Sequence, residues 1–469
     1  MSAHLRRLLA LTLVSSSLIA CGDDEEEGPP PCDPVADTGC ADGLTCEVKA
    51  GGGSICAEPV VIAGSVFELT VDAPVENARV VALDVNGAPV STVAITDPEG
   101  LFELPVPHTR NEDGTPVGRR LTLRADALRF QSFPSGIRQS LPLDTAESVE
   151  RDGRFVLANA LTDVRLIRLP EGAGLGTIAG RVELPEGRPG VLVVAEKDGV
   201  GTSGIADRNG DYAIFNLPAG TFEVTGYTRG ASFEEATAEV SDETDARTTV
   251  DLALSGAATA TLSGKVSIVN PGTGKATSII LVVESLFDDL NLRGESPPGL
   301  RAPRGGLEPD VTGAFTIDGI PPGDYVVLAA FENDFLVRDP DTTIGGTKII
   351  RQTVAAGQTV TLAESFKITG ALDFLPPLGL QPHGVTAAPT ISWEDDSSED
   401  GYELVVYDAL GDEVWRHTEP GHSGSNPAVV YEGPLAPGMY YQAKVRSLKA
   451  GTPISQTEDL AGIFFVQRQ

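Results

Sequence analysis

Material for catalysis is scarce in this chain. It has five histidines in 469 residues, one of them His4 near the start, and neither HExxH nor GxSxG occurs. A hydrolase needs a nucleophile beside a base, or a metal with its ligands. The sequence therefore points away from an enzyme, and no cofactor is expected. Basic residues are also short: 34 Lys plus Arg stand against 67 Asp plus Glu, a formal charge of −33. Such a surface repels phosphate backbones, which excludes nucleic acid as a partner. Methionine is nearly absent, at two residues, while Gly (52) and Pro (34) abound. That balance favours turn-rich all-β structure over helical bundles. The length suits three or four domains of ordinary size.

The first twenty residues read as an export signal. Arg6 and Arg7 form a basic start, and Leu8 to Val14 an apolar stretch too short to span a bilayer. Leu18, Ile19, Ala20 and Cys21 then resemble the bacterial lipobox. The resemblance implies cleavage before Cys21, a diacylglycerol on its thiol and a further acyl chain on its amine. Two or more chains anchor stably where one binds marginally. Gly22 in place of Asp after the cysteine implies the outer membrane rather than retention in the inner one.

Residues 21–31 read as a tether: Asp23, Asp24, Glu25, Glu26 and Glu27 precede Gly28, Pro29, Pro30 and Pro31. Like charges and prolines keep such a spacer extended, and an acidic run here resembles surface-export signals of some lipoproteins. The segment 32–58 holds Cys32, Cys40, Cys46 and Cys56 at spacings x7, x5 and x9. In an exported chain this predicts two disulfides, each contributing roughly 2 to 4 kcal/mol. The spacing leaves all three pairings open. Zinc is the weaker alternative, since no close CxxC pair and no nearby His complete a tetrahedral site.

Three segments share a pattern. Each opens with an alternating strand carrying a fixed Gly: Ile62, Gly64, Val66; Ile178, Gly180, Val182; Leu262, Gly264, Val266. Each then reaches Asp-x-x-Gly-x-aromatic-x-aliphatic: Asp97, Gly100, Phe102, Leu104; Asp207, Gly210, Tyr212, Ile214; Asp310, Gly313, Phe315, Ile317. Asp at the first and Gly at the fourth position predict a type I turn. A second turn follows in the later copies, Leu217, Pro218, Gly220, Phe222 and Ile320, Pro321, Gly323, Tyr325, predicting a tight hairpin. The first copy has a polar insertion, Asn111 to Arg120, instead, and the third a long loop from Phe287 to Leu307.

This constellation resembles the carboxypeptidase regulatory-like domain, a seven-stranded transthyretin-like β-sandwich, over domains at 60–170, 176–255 and 259–372. The resemblance implies a module without chemistry of its own, classed with carbohydrate-binding-like folds. From 385 to 469 the pattern changes to Ile391, Trp393, Tyr402, Leu404, Val406, Tyr441, Ala443 and Val445. It resembles a fibronectin type III domain: Trp393 is placed in the core, and Leu435, Pro437, Gly438 and Tyr441 match a tyrosine corner. Leu410, Gly411 and Asp412 join two of its strands as a hairpin turn.

The expected function is a lipid-anchored, non-catalytic rod of sandwiches with structural or adhesive duty, flexing at linkers around Gly172 to Gly176 and Ser255 to Ala258. The expected partners are the membrane, through the lipid on Cys21, and a polysaccharide or another envelope protein. The alternative is a carbohydrate-binding surface lipoprotein, with Trp415 as ligand contact. His417, Glu419 and His422 read as a solvated Pro- and Gly-containing loop rather than a metal site. Asp207, Asn209 and Asp211, and separately Asp288 and Asp289, place oxygens together without the full ligand set of a calcium loop.

Overall fold

The structure is a computed structural model. It describes residues 32–34, 38–136, 138–170, 175–185, 190–289, 292–303, 309–330, 334–338 and 349–467. The export signal, Cys21 and the tether lie outside the described residues. The described chain is built of strands, with three short 3-10 turns at Thr145–Glu147, Ala160–Thr162 and Glu284–Leu286, and no α-helix. No helix among the described residues is long and apolar enough to cross a membrane.

Each repeat folds as two sheets with one common order. The opening strand is central in the first sheet. Val60–Glu68 pairs antiparallel with Leu101–Val106 and parallel with Arg154–Leu157 and Asp163–Arg168. Leu175–Arg181 pairs likewise with Asp211–Pro218 and Arg247–Thr249. Ala260–Val269 does so with Ala314–Ile320, Thr359–Thr361 and Phe366–Gly370. The second sheet is centred on Arg79–Leu83, Leu192–Lys197 or Ile279–Val283, each flanked by Arg120–Asp126, Gly220–Tyr227 or Gly323–Ala329. Between the sheets, the alternating residues Phe102, Leu104, Tyr212, Ile214, Phe315 and Ile317 are buried.

The fixed glycine has a cause visible only in the register. Gly64 lies directly opposite Phe102, Gly180 opposite Tyr212 and Gly264 opposite Phe315. A Cβ would stand 2.9 Å from the Phe102 ring at Gly64 and 2.6 Å from the Phe315 ring at Gly264. Backbone closes the space still more tightly in the first two copies, with Thr162 O 1.9 Å from a Cβ at Gly64 and Val250 O 1.8 Å from one at Gly180, whereas at Gly264 the Phe315 ring is nearest.

Two turn expectations are corrected. Asp211–Pro218 and Gly220–Tyr227 do not pair with each other but lie in different sheets, as do Ala314–Ile320 and Gly323–Ala329. The Pro-x-Gly turn is a corner between layers, because Gly220 and Gly323 take φ of +146° and +157°, where side-chain-bearing residues are strained. The first turn is as predicted in two copies: Asp97 Oδ1 accepts from Glu99 N and Leu101 N, and Asp207 Oδ1 from Asn209 N and Asp211 N. In the third copy Val311 forms an isolated bridge with Thr277, just ahead of Ile279–Val283, and Gly313 keeps an ordinary φ.

The C-terminal unit begins before residue 385. Phe374–Leu375 pairs with Thr390–Trp393, and Leu372 joins the core around Trp393. Its larger sheet runs His383–Val385, Ile463–Val466, Tyr440–Lys449, Gly401–Asp408, Glu413–Pro420. Tyr441 Oη accepts from Ala436 N at 2.9 Å, the predicted corner.

The four sandwiches do not lie as a rod in which only neighbours in sequence meet. Arg124 of the first donates to Ser203 Oγ of the second at 3.0 Å and to Glu295 of the third at 2.6 Å. Tyr440 of the last donates to Glu147 of the first at 2.9 Å. Apolar cores merge too: Val81 and Leu83 share a cluster with Leu192, Val194 and Leu281, while Ala409, Tyr440 and Ile463 join the first sandwich's core. The physical reason is that the central strands of the second sheets bury both faces. Ile279–Val283 is buried at every position and Arg79–Leu83 at four of five, so each sheet needs a second apolar layer outside its own sandwich.

Candidate functional site

The N-terminal knot is closed by Cys32–Cys46 and Cys40–Cys56 around the strands Thr45–Val48 and Ser54–Ala57. Sulfurs of Cys32, Cys40 and Cys56 lie within 4.8 Å of one another, but each belongs to a bridge and is no thiolate ligand. The knot is fixed to the first sandwich through Glu47, whose carboxylate accepts from His108 N at 2.9 Å and pairs with the Arg110 guanidinium. Burial pushes the Glu47 carboxyl up despite that partner.

At the other end of the chain, Trp415 lies on Glu413–Pro420, opposite Val406. It is half-buried against the C-terminal core, edge-on to Tyr431 at 5.2 Å and stacked on His417 at 5.6 Å with 11° between planes. One indole face is thus covered by His417.

The reading of His417, Glu419 and His422 as a loop is corrected for the first two, because the strand continues to Pro420, while His422 lies in the loop that follows. Glu419 sits between the two rings, with Oε1 3.0 Å from His422 Nε2 and Oε2 3.0 Å from His417 Nε2. The hydrogen bonds from His422 and His417 hold its carboxyl below the usual range. The backbone of His422 is tied to Glu399 Oε1 at 3.0 Å.

The acidic spots weighed for calcium are already engaged. Asp207 Oδ1 caps its own turn, and Asp289 takes the Arg351 guanidinium at 2.9 Å. Several charged groups with shifted pKa values lie where the sandwiches meet. Burial brings the Lys444 ammonium down to about 8 as it reaches Gln139 Oε1 of the first sandwich at 3.0 Å. Beside it Asp459 is penalised by burial, yet Arg293 of the third sandwich, at 2.6 Å, together with Lys444 and Arg338 holds its pKa below the ordinary value. Burial also lowers Arg338 to about 9.

These joints do not show in the repeat pattern, although a signal for them exists. Continuous apolar runs such as 191–195 (VLVVA) and 279–283 (IILVV) do not alternate, and strands of that kind are covered on both faces.

No protein-family model matches the chain, and no curated protein matches it. Among solved structures, the Bacillus anthracis TIE protein aligns at 11% identity over 91% of this chain and 74% of its own, with a TM-score of 0.16. The major pilin subunit BcpA of Bacillus cereus aligns at 10% identity over 66% of this chain and 99% of its own, at a TM-score of 0.17. GBS52, the minor pilin of Streptococcus agalactiae, aligns at 14% identity over 42% of this chain and 96% of its own, at a TM-score of 0.18. Superpositions this weak carry no weight for function.

Proposed function

We propose that the chain is a non-catalytic cell-envelope lipoprotein whose four sandwiches act as one locked body, held in the outer membrane through Cys21 and meeting an envelope protein through its exposed faces. The observation that carries this reading is the bonding of the first sandwich to the second, third and fourth at once. The buried charged groups Lys444, Arg338 and Asp459 lie at these joints among protein partners. Catalytic groups with perturbed pKa values instead face a cleft. A locked body transmits position and force, which suits a structural or adhesive role. The carbohydrate alternative rests on Trp415, which is partly buried and backed by His417 on one face.

Two measurements test it. Metabolic labelling with a clickable fatty acid should tag the wild type and not Cys21→Ala. The purified chain should retain envelope proteins by crosslinking in the producing cell and should ignore a glycan panel. Saturable glycan binding lost in Trp415→Ala would replace this reading with the carbohydrate one, and a turnover activity would end both.

A further inference from the structure

Between the second and third sandwiches lies a cavity of about 350 Å³. We infer that it is a binding site for a small organic cation carrying two or more ammonium groups, of the polyamine class. This goes beyond the function proposed above and does not depend on it.

The cavity arises from how one sheet face is shared. On the outward face of the second sandwich, Leu192, Val194 and Tyr227 pack into the third sandwich's core. Further along the same face the residues turn acidic. Glu196, Glu223 and Glu235 line the opening from this side, and Asp324 lines it from the third sandwich. No Lys, Arg or His is among the lining residues. Glu196 and Glu223 are direct cross-strand partners, an arrangement in which like charges repel unless a cation intervenes. Among the described residues neither carboxylate has an ion-pair partner.

A second, independent observation comes from Ser232. It lines the same cavity, is 4% exposed, and its hydroxyl has no hydrogen-bond partner among the described residues. A buried hydroxyl left unsatisfied costs on the order of 1–3 kcal/mol, which a ligand amine or a water carried with it would relieve. Ser285, on the facing wall, has an unpartnered hydroxyl among the described residues as well.

The spacing of the charges selects the ligand class. No three of these carboxylates bring oxygens within 4.8 Å of one another, so a single metal ion could not collect the set at coordination distances of about 2.3–2.6 Å. Separate positive groups joined by an apolar spacer can. Tyr227, Phe233, Val283 and Pro321 supply apolar wall between the charges, suited to methylenes and to cation–π contact.

The test is calorimetric titration of the full chain with spermidine, with calcium chloride and with a neutral hexose at matched ionic strength. The expected result is one saturable spermidine site, weakened tenfold or more in Glu196→Gln/Glu223→Gln and also weakened in Ser232→Ala. It should be unchanged in Glu99→Gln/Glu150→Gln, which removes two charges from the first sandwich. Because Gln is isosteric and relieves repulsion, the double variant should fold, and unchanged thermal unfolding verifies this. Absence of binding, equal weakening in both double variants, or displacement of spermidine by equimolar calcium would each overturn the inference.

Discussion

Arg124 of the first sandwich and Glu295 of the third meet at 2.6 Å, and the guanidinium is only 8% exposed. The same side chain holds Asp126 at 2.6 Å and the Ser203 carbonyl of the second sandwich at 2.8 Å. Burial opposes its charge, but Asp126 and Glu295 together raise its pKa above the ordinary value. Three sandwiches thus converge on one planar donor. Arg124→Met should cost about 3–5 kcal/mol, as expected when one partner of a buried pair is removed. Arg124→Lys should recover little of it, because an ammonium lacks the fork geometry. Chemical denaturation is the measurement, and the single transition of the wild type should split as the first sandwich unfolds separately.

Gly411 offers a local probe of the joint between the first and last sandwiches. Its carbonyl accepts from Gln139 N at 3.1 Å, and Arg138 donates to Leu410 O at 2.6 Å. Gly411 has φ +88°, and a Cβ there would stand 2.5 Å from Gln139 O. Gly411→Ala should open this joint while leaving each sandwich folded. Limited proteolysis should then cut near residues 133–140, and small-angle scattering should record a larger radius of gyration.

The repeated turn allows a comparison within one molecule. Gly210 has φ +87°, with Val182 O 2.3 Å from the position of a Cβ, whereas Gly313 has an ordinary φ and open space. Gly210→Ala is expected to destabilise by roughly 1–3 kcal/mol, from backbone strain and the clash. Gly313→Ala should be close to neutral. Equal thermal shifts in the two variants would mean that the third turn demands its glycine as strictly as the second.

His108 makes stability depend on pH. Burial lowers its pKa to about 4, with Arg119 and Arg110 adding to the effect against the bond to Val106 O. Its Nδ1 donates to that carbonyl at 2.8 Å, so Nε2 accepts from Thr145 Oγ1 at 2.9 Å. In the unfolded chain the ring titrates near 6.5. Between those values the unfolded chain binds a proton that the folded one does not. The contribution is therefore full above about pH 6.5 and is lost as pH falls toward 4, to a total of about 3 kcal/mol. Urea denaturation from pH 7.5 to 4 should show this slope, and His108→Gln should remove that share of it.

Much of the fold was legible in the sequence because it is encoded over short spans. Alternation places Phe102, Leu104, Tyr212 and Ile214 in cores, and Asp97 and Asp207 cap their own turns within four residues. The Trp393 core position and the Tyr441 corner were legible for the same reason, as was the presence of two disulfides in the segment from Cys32 to Cys56. Each depends on a residue type acting on neighbours a fixed distance along the chain.

Only the tertiary structure could decide the rest, because the deciding partners lie far apart in sequence. Which cysteines pair depends on how the strands Thr45–Val48 and Ser54–Ala57 fold back on each other. That Gly64 faces Phe102 depends on register, and the Pro218 and Pro321 turns become corners because their following strands find better partners in the opposite sheet. The change from rod to locked body follows from strands such as Ile279–Val283, apolar on both faces. A sequence announces that such a strand must be covered on both sides, but shape and charge across the whole molecule decide what covers it.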